Sequence, residues 1–216
     1  YFDLSFFKQR KKNTGSFDKS PLRPYNTMHS ALIVNSNKLD LKFSFTPEQK
    51  KLDVSPVFLP DGVVIQNNLS IGEGNCSDFR SQVSFRERYR KKLLTIVIEG
   101  VYPSQCLEKD HDLAITKTEH YFFGAFKKLW LESGGKINGY FKKHNQNSRD
   151  ILIAEILSDD LSGAIRFMLK ESDNLTARNI FLSLGFESNR KEHRLMRRLS
   201  YESMKKNKIY WHYSNF

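Results

Sequence analysis

The sequence predicts an α+β chain, with strands first and helices after them. Three observations carry that expectation. Leu39, Leu41, Phe43 and Phe45 alternate with polar or charged neighbours, the period of a half-buried strand. Leu93-Leu-Thr-Ile-Val-Ile98 is the most apolar β-branched run and is expected to end at Gly100, as a central strand. From about residue 118 the apolar spacing lengthens to that of amphipathic helices. The 216 residues suffice for one domain or two small ones, and 39% hydrophobic with 13% aromatic content can fill a core. No apolar run approaches the roughly 18 residues that span a bilayer.

Taken in order, residues 1–30 are irregular. Lys8, Arg10, Lys11 and Lys12 precede an expected turn at Asn13-Thr14-Gly15, and Pro21 and Pro24 call for extended backbone. Residues 31–35 form a short apolar run, expected to pair with 39–45 as a hairpin across Asn35-Ser36-Asn37. Residues 57–74 read as further short strands, with turns at Pro60-Asp61-Gly62 and Gly72-Glu73-Gly74. The partner of the central strand is expected near residues 81–85, joined by a charged turn around 86–92.

The first helix is expected over about 118–133. Thr118 is its cap, Glu119 lies in the first turn and Gly134-Gly135 stops it. Phe122, Phe126 and Leu129 share a face, flanked by Tyr121, Ala125 and Trp130. This stripe, Trp130 included, is expected to be core rather than a ligand box. Residues 137–141 and 151–156 read as extended. A second helix is expected over about 158–170, capped by Ser158 with Asp159 and Asp160 at its N-terminus, and with Leu161, Ile165, Met168 and Leu169 as its stripe. A third spans about 174–184 and stops at Gly185. Beyond Phe186 no periodicity is evident, and no internal repeat occurs.

The formal charge is +11, and residues 187–216 hold eight Lys/Arg against three Glu. A basic chain suits nucleic acid, anionic lipid or an anionic wall polymer, and charge does not choose among them. The run Arg190-Lys-Glu-His-Arg-Leu-Met-Arg-Arg198 is read as a solvated face in preference to a nucleic-acid or lipid patch. The six histidines show no metal spacing, and His111, His120 and His144 are expected at the surface. No metal and no cofactor is expected. The two cysteines, Cys76 and Cys106, form no C-x-x-C pair. They are either two buried thiols or, in an oxidising compartment, one bridge. The expected hairpin of 81–85 with 93–98 would carry them towards each other.

Chemistry concentrates in Met168-Leu-Lys-Glu-Ser-Asp-Asn174. Ser172 and Asn174 are two apart, which separates them on a helix but aligns them in a turn or extended segment. They fall where one helix should stop and the next begin, so both can enter one cleft. A serine hydroxyl there can relay a proton. An asparagine amide can hold a substrate carbonyl or orient a lysine. The alternative is that these residues only cap a helix.

The order of helix, Lys170-Glu-Ser-Asp-Asn174 and helix resembles the Ser-x-Asn region of the DacB-type penicillin-binding proteins, serine-type D-alanyl-D-alanine carboxypeptidases/endopeptidases. Ser30-Ala-Leu-Ile-Val-Asn35 with its following strand resembles that family's inserted β-rich region. So does 94–103, a strand closing on a glycine before a proline, and 121–139, a helix ending in glycine and leading to Asn138-Gly139. The resemblance covers about residues 1–186. It implies a β-rich inserted region over 1–145 with one helix near 118–133. Residues 146–186 would be a partial catalytic domain of the serine β-lactamase/transpeptidase-like kind, and 187–216 a divergent basic tail. The chain begins with Tyr1 and opens on no leader, so it is expected to be processed or an internal fragment.

The implied mechanism uses a serine in Ser-x-x-Lys, activated by that lysine, with Ser-x-Asn and Lys-Thr-Gly completing the cleft. The serine attacks the D-Ala-D-Ala bond or the cross-link of a peptidoglycan stem peptide, and β-lactams acylate it. Ser172 and Asn174 would be the Ser-x-Asn pair. The family's nucleophile lies upstream of the inserted region, and no segment here corresponds to it. Ser5/Lys8, Ser16/Lys19, Ser188/Lys191 and Ser203/Lys206 have the spacing in the wrong places. Lys117-Thr118-Glu119 is not a Lys-Thr-Gly. This chain alone is therefore expected to be inactive. Relatives carry an acidic residue after the aromatic-Asn pair that Tyr25-Asn26 resembles; Thr27 stands there, which leaves a diamino-acid side chain without its recognition group. The resemblance places the protein in the periplasm, where Cys76 and Cys106 would be bridged. A non-catalytic wall-binding remnant is the alternative, and a basic nucleic-acid-binding protein a weaker one.

Overall fold

The computed structural model describes residues 1–7, 18–143, 151, 155–158 and 160–187. The expected turn at 13–15 and the basic tail lie outside the described residues. Two compact units are present, Tyr1–Leu4 with Gln9–Ile151, and Ser5–Lys8 with Leu152–Phe216.

The first unit holds two three-stranded sheets. One is formed by Lys38–Thr46 (β1), Lys51–Pro56 (β2) and Glu108–Ala114 (β6) in the order β2-β1-β6, antiparallel throughout. The other is formed by Val63–Gly72 (β3), Val83–Arg90 (β4) and Leu93–Pro103 (β5) in the order β3-β5-β4. Here β5 runs parallel to β3 and antiparallel to β4. The short helix Phe79–Gln82 (α1) precedes β4, and Thr118–Glu132 (α2) follows β6. The alternation in β1 buries Leu39, Leu41, Phe43 and Phe45 in one cluster with Leu94, Ile96, Ile98 and Tyr102 of β5. Phe43 stacks on Tyr102 at 5.9 Å and meets Phe79 edge-on at 5.1 Å, geometries that add to burial.

β5 is central, as its composition predicts, but it does not end at Gly100. That residue has φ +121°, and a Cβ there would lie 2.0 Å from the Gln82 carbonyl oxygen. Glycine lets the strand pass this contact and continue to Pro103. Its partner begins where expected and runs longer. Arg86, Arg88 and Arg90 occupy the exposed positions of β4, so the charge read as a turn is the solvent face of a strand. The turn is only Lys91-Lys92.

The expected hairpin of residues 31–35 with β1 does not form. Both edges of β1 are taken, by β2 and β6. Asn35, Ser36 and Asn37 have φ of 49°, 48° and 58°, a left-handed run that turns the chain into β1. Buried Asn37 donates its side-chain amide to the Ile115 carbonyl. Pro24 starts a 3-10 turn instead of extended backbone, while Arg23 before it is extended at φ −75°, ψ 138°.

α2 has the expected span with a different buried face. Tyr121, Phe123, Gly124 and Ala125 are buried, whereas Phe126, Leu129 and Trp130 are exposed. The core reading of the Phe126/Trp130 stripe is thus overturned. The cause is Gly124: a Cβ there would lie 2.4 Å from the Asp61 carbonyl oxygen, and the Asp61 N–H donates to the Gly124 carbonyl at 3.1 Å. The helix approaches its neighbour through its small residues, which apolar spacing does not register. Thr118 is the first helical residue rather than the cap, and its hydroxyl donates to Ser30 Oγ at 3.1 Å. Residues 137–141 are not a strand. Tyr140 and Phe141 instead pack against Phe123 at 4.9 and 5.7 Å.

Cys76 and Cys106 are bridged, with Cα atoms 4.6 Å apart, which removes the free-thiol alternative. His111 and His120 are half-buried rather than surface residues; His144 lies outside the described residues. His111 stacks on Phe85 at 4.5 Å. Burial, then the Arg80 charge, push its pKa down to about 4.

The second unit contains Leu161–Lys170 (α3) and Asn174–Glu187 (α4). Asp160, not Ser158, caps α3 by accepting the Gly163 N–H at 2.7 Å. Of the extended reading of 151–156, residues 151, 155 and 156 carry no strand. α4 does not stop at Gly185 but continues to Glu187.

Candidate active site

Ser172, Asp173 and Asn174 form the reversal between α3 and α4. The α3 stripe ends at Lys170, Glu171 is the C-cap, and Ser172 follows with φ 50°. The Asp173 N–H reaches back to the Met168 carbonyl at 3.0 Å. A left-handed residue followed by this bond is the Schellman way of closing a helix. Glycine or asparagine ordinarily fills the left-handed position; here it is a serine.

The next helix starts at once. Asp173 Oδ1 accepts the Leu175 N–H at 3.1 Å and Oδ2 accepts the Thr176 N–H at 3.2 Å. The Thr176 hydroxyl donates to the same oxygen at 2.5 Å. Asp173 is therefore the N-cap of α4. The signal in the sequence is an aspartate three residues before Thr176, set between Ser172 and Asn174. Asn174 is the first residue of α4, and both Ser172 and Asn174 are exposed, while Leu175 is buried at 6%. The reversal places Ser172 and Asn174 at one end of a helix pair. The observed capping bonds run to the residue between them.

The remaining motif residues are placed as follows. Lys117-Thr118-Glu119 opens α2, so no strand lies there for a substrate to extend. Tyr25 and Asn26 do meet a carboxylate, though not from position 27. The Tyr25 hydroxyl donates to Asp18 Oδ2 at 2.5 Å and the Asn26 amide to Oδ1 at 3.0 Å. Desolvation opposes ionisation of Asp18, but hydrogen bonds from Tyr25, Ser20 and Asn26 outweigh it and hold the carboxyl below its usual range. Ser5 is described; its spacing partner Lys8, and the pairs at 188/191 and 203/206, lie outside the described residues. Among the described residues no helix is long and apolar enough to cross a membrane, and no group of three His, Cys, Asp or Glu residues is arranged to hold a metal ion.

Among curated proteins no match is found. Solved structures share the fold, two of them as follows. Penicillin-binding protein 4 (dacB) from Haemophilus influenzae superposes with a TM-score of 0.66 at 16% identity, over 99% of this chain and 48% of that one. The same protein complexed with a β-lactam superposes with a TM-score of 0.52 at 16% identity, over 72% of this chain and 36% of that one. The chain thus spans about half the length of the first of these. The sequence model of one family matches residues 1–200, covering both units and the Ser172–Asn174 reversal: the chain belongs to the D-Ala-D-Ala carboxypeptidase 3 (S13) family.

Proposed function

We propose that the chain is a segment of a D-alanyl-D-alanine carboxypeptidase/endopeptidase that cleaves peptidoglycan stem peptides or their cross-links through a serine acyl-enzyme. The observation that carries this is the family match over 1–200, which includes the exposed reversal at Ser172–Asn174. Ser172 relays a proton and Asn174 holds the substrate's amide carbonyl or orients a lysine. The nucleophilic serine and its lysine come from sequence outside these residues. The protein acts in the periplasm, a placement supported by the Cys76–Cys106 bridge, since disulfides persist in oxidising compartments.

The test is labelling with a fluorescent penicillin. The 216-residue chain is expected to form no adduct that survives denaturing electrophoresis. Joined to flanking coding sequence that supplies Ser-x-x-Lys and Lys-Thr-Gly, it is expected to label. Ser172→Ala should then slow acylation by roughly 10²-fold, the scale of a lost proton-transfer group. Labelling of the short chain at Ser5, Ser16, Ser188 or Ser203, or an unchanged rate in Ser172→Ala, overturns the assignment.

A further inference from the structure

The first unit carries a cleft of about 590 Å³ that the Ser-x-Asn chemistry does not use. This is within the roughly 300–1,000 Å³ of small-molecule sites. The β4–β5 turn, the Asp61-Gly62 turn before β3, one side of α2 and residues 139–140 enclose it. Arg90, Lys91, Lys92 and Lys127 line it against a single carboxylate, Asp61. That carboxylate is held by Lys127 at 2.7 Å. Among the described residues none of the ion pairs involves Arg90, Lys91 or Lys92.

Three consecutive cations at a two-residue turn repel one another. Lys91 moreover stands at φ 56°, where glycine or asparagine costs less. Turn formation alone does not ask for this sequence. The floor is apolar and fixed: Val63, Leu94 and Phe123 are buried. Tyr140 meets Phe123 edge-on at 4.9 Å, and its hydroxyl lies 2.6 Å from His120 Nδ1. Lys92 Nζ sits over the Tyr140 ring, 5.2 Å from its centre, so the cation and the aromatic surface meet at the mouth.

We propose that this cleft binds an anionic sugar, a pyranose bearing a carboxylate or phosphate, as an anionic wall polymer presents it. The cationic rim takes the anionic group, and the aromatic floor takes the C–H face of the ring. Inorganic phosphate would use only the rim, and a neutral sugar only the floor. A nucleic-acid strand would bring its phosphates to the same rim, and the oligothymidylate below tells it apart. The wall-polymer source rests on the cell-wall function proposed above; the anionic-sugar chemistry rests on the cleft alone.

Calorimetric titration of the full chain separates these, using trigalacturonate, glucose 6-phosphate, an N-acetylglucosamine tetramer, inorganic phosphate and a short oligothymidylate. Saturable binding of trigalacturonate or glucose 6-phosphate is expected, and the tighter of the two identifies a carboxylated or a phosphorylated polymer. Affinity should fall at least about tenfold in Arg90→Ala/Lys92→Ala, as for loss of one charge-assisted contact. It should fall in Tyr140→Ala, persist in Tyr140→Phe, and be unchanged in Lys50→Ala/Lys51→Ala at the β1–β2 connection of the other sheet. Because Arg90 and Lys92 are exposed, the double variant is expected to fold even if Tyr140→Ala does not. No binding of either anionic sugar overturns the proposal. So does equal binding of the neutral tetramer or inorganic phosphate, or tighter binding of the oligothymidylate through the same residues. Penicillin labelling reports the cell-wall enzyme separately, so either idea can fail alone.

Discussion

The two units bury their apolar residues to very different extents. In the first, alternate residues of β1 and the continuous run Ile96–Ile98 of β5 are sealed, with Leu39, Ile96 and Ile98 at 0% exposure. In the second, the stripe of α3 stays open, with Leu161 at 54% and Leu169 at 63% exposure. Burial is the main term that offsets chain entropy. The first unit therefore closes its own core and has the makings of an independently stable fold. Among its described residues the second has well-formed caps but little buried surface, and short helices draw most of their stability from packing. The caps define where α3 and α4 begin; they do not supply the burial that would hold them. The Ser172–Asn174 reversal thus sits in the less supported part of the chain.

The sharpest break in that comparison comes from the core. Phe43→Ala removes a ring that contacts Tyr102, Phe79 and Phe85. It should cost about 3–5 kcal/mol and abolish most of the first unit's denaturant transition. Hydrogen exchange at α3 and α4 should change little. If α3 and α4 exchange as slowly as β5 in the unaltered chain, the contrast itself is wrong.

Reduction of the Cys76–Cys106 bridge, which spans 30 residues, comes next. The chain-entropy estimate is about 3–4 kcal/mol for an unstrained bridge. The effect should appear as a lowered transition of the first unit and leave the second alone. Equal midpoints with and without reductant would mean that the core holds this corner without the bond.

Asp173→Ala tests the other side. Loss of an N-cap should cost about 1 kcal/mol, seen as faster exchange of the Leu175 and Thr176 amides. The first unit should be unaffected. A larger loss, reaching β5, would show that the helices support the sheets more than their exposure implies.

Acidification separates the units in another way. His111 titrates near pH 4 in the fold against an ordinary 6.5. The unfolded chain therefore binds more protons between these values, and stability falls as pH drops through that window. Above it the contribution is complete. His111→Phe keeps a ring against Phe85 and should flatten this slope in the first unit. An unchanged slope would assign it to other groups.

The strands that sequence predicts best are those whose pattern is also their packing, the alternation of β1 and the continuous apolar run of β5. The failures have physical causes. Residues 31–35 look like a strand but have no free edge to join. The α2 face is misread because Gly124 permits backbone contact that hydropathy does not record. The charge at 86–92 looks like a turn because exposed positions on a two-faced strand take the same residues as loops. The spacing of Ser172 and Asn174 located the helix junction, but it left Asp173, which makes the closing bonds, without a role. The aromatic floor of the basic cleft joins residues far apart in the chain, and no local pattern announces it.

The smallest expected stability change is the most informative about the reversal, and it is that of Ser172→Gly. Ser172 holds φ 50°, a conformation that costs an L-residue roughly 1–2 kcal/mol and glycine little. Glycine also loses more freedom on folding, so the net gain should be about 1 kcal/mol or less. If Ser172 were only a helix terminator, glycine would serve better and nothing would be lost. If its hydroxyl relays a proton, the same variant should be as stable or more so yet acylate slowly in the longer protein. Exchange at Asp173 and Leu175 measures the first quantity, and penicillin labelling the second. A variant that gains stability and keeps its labelling rate would leave Ser172 a structural residue, and would return the catalytic assignment to Asn174 alone.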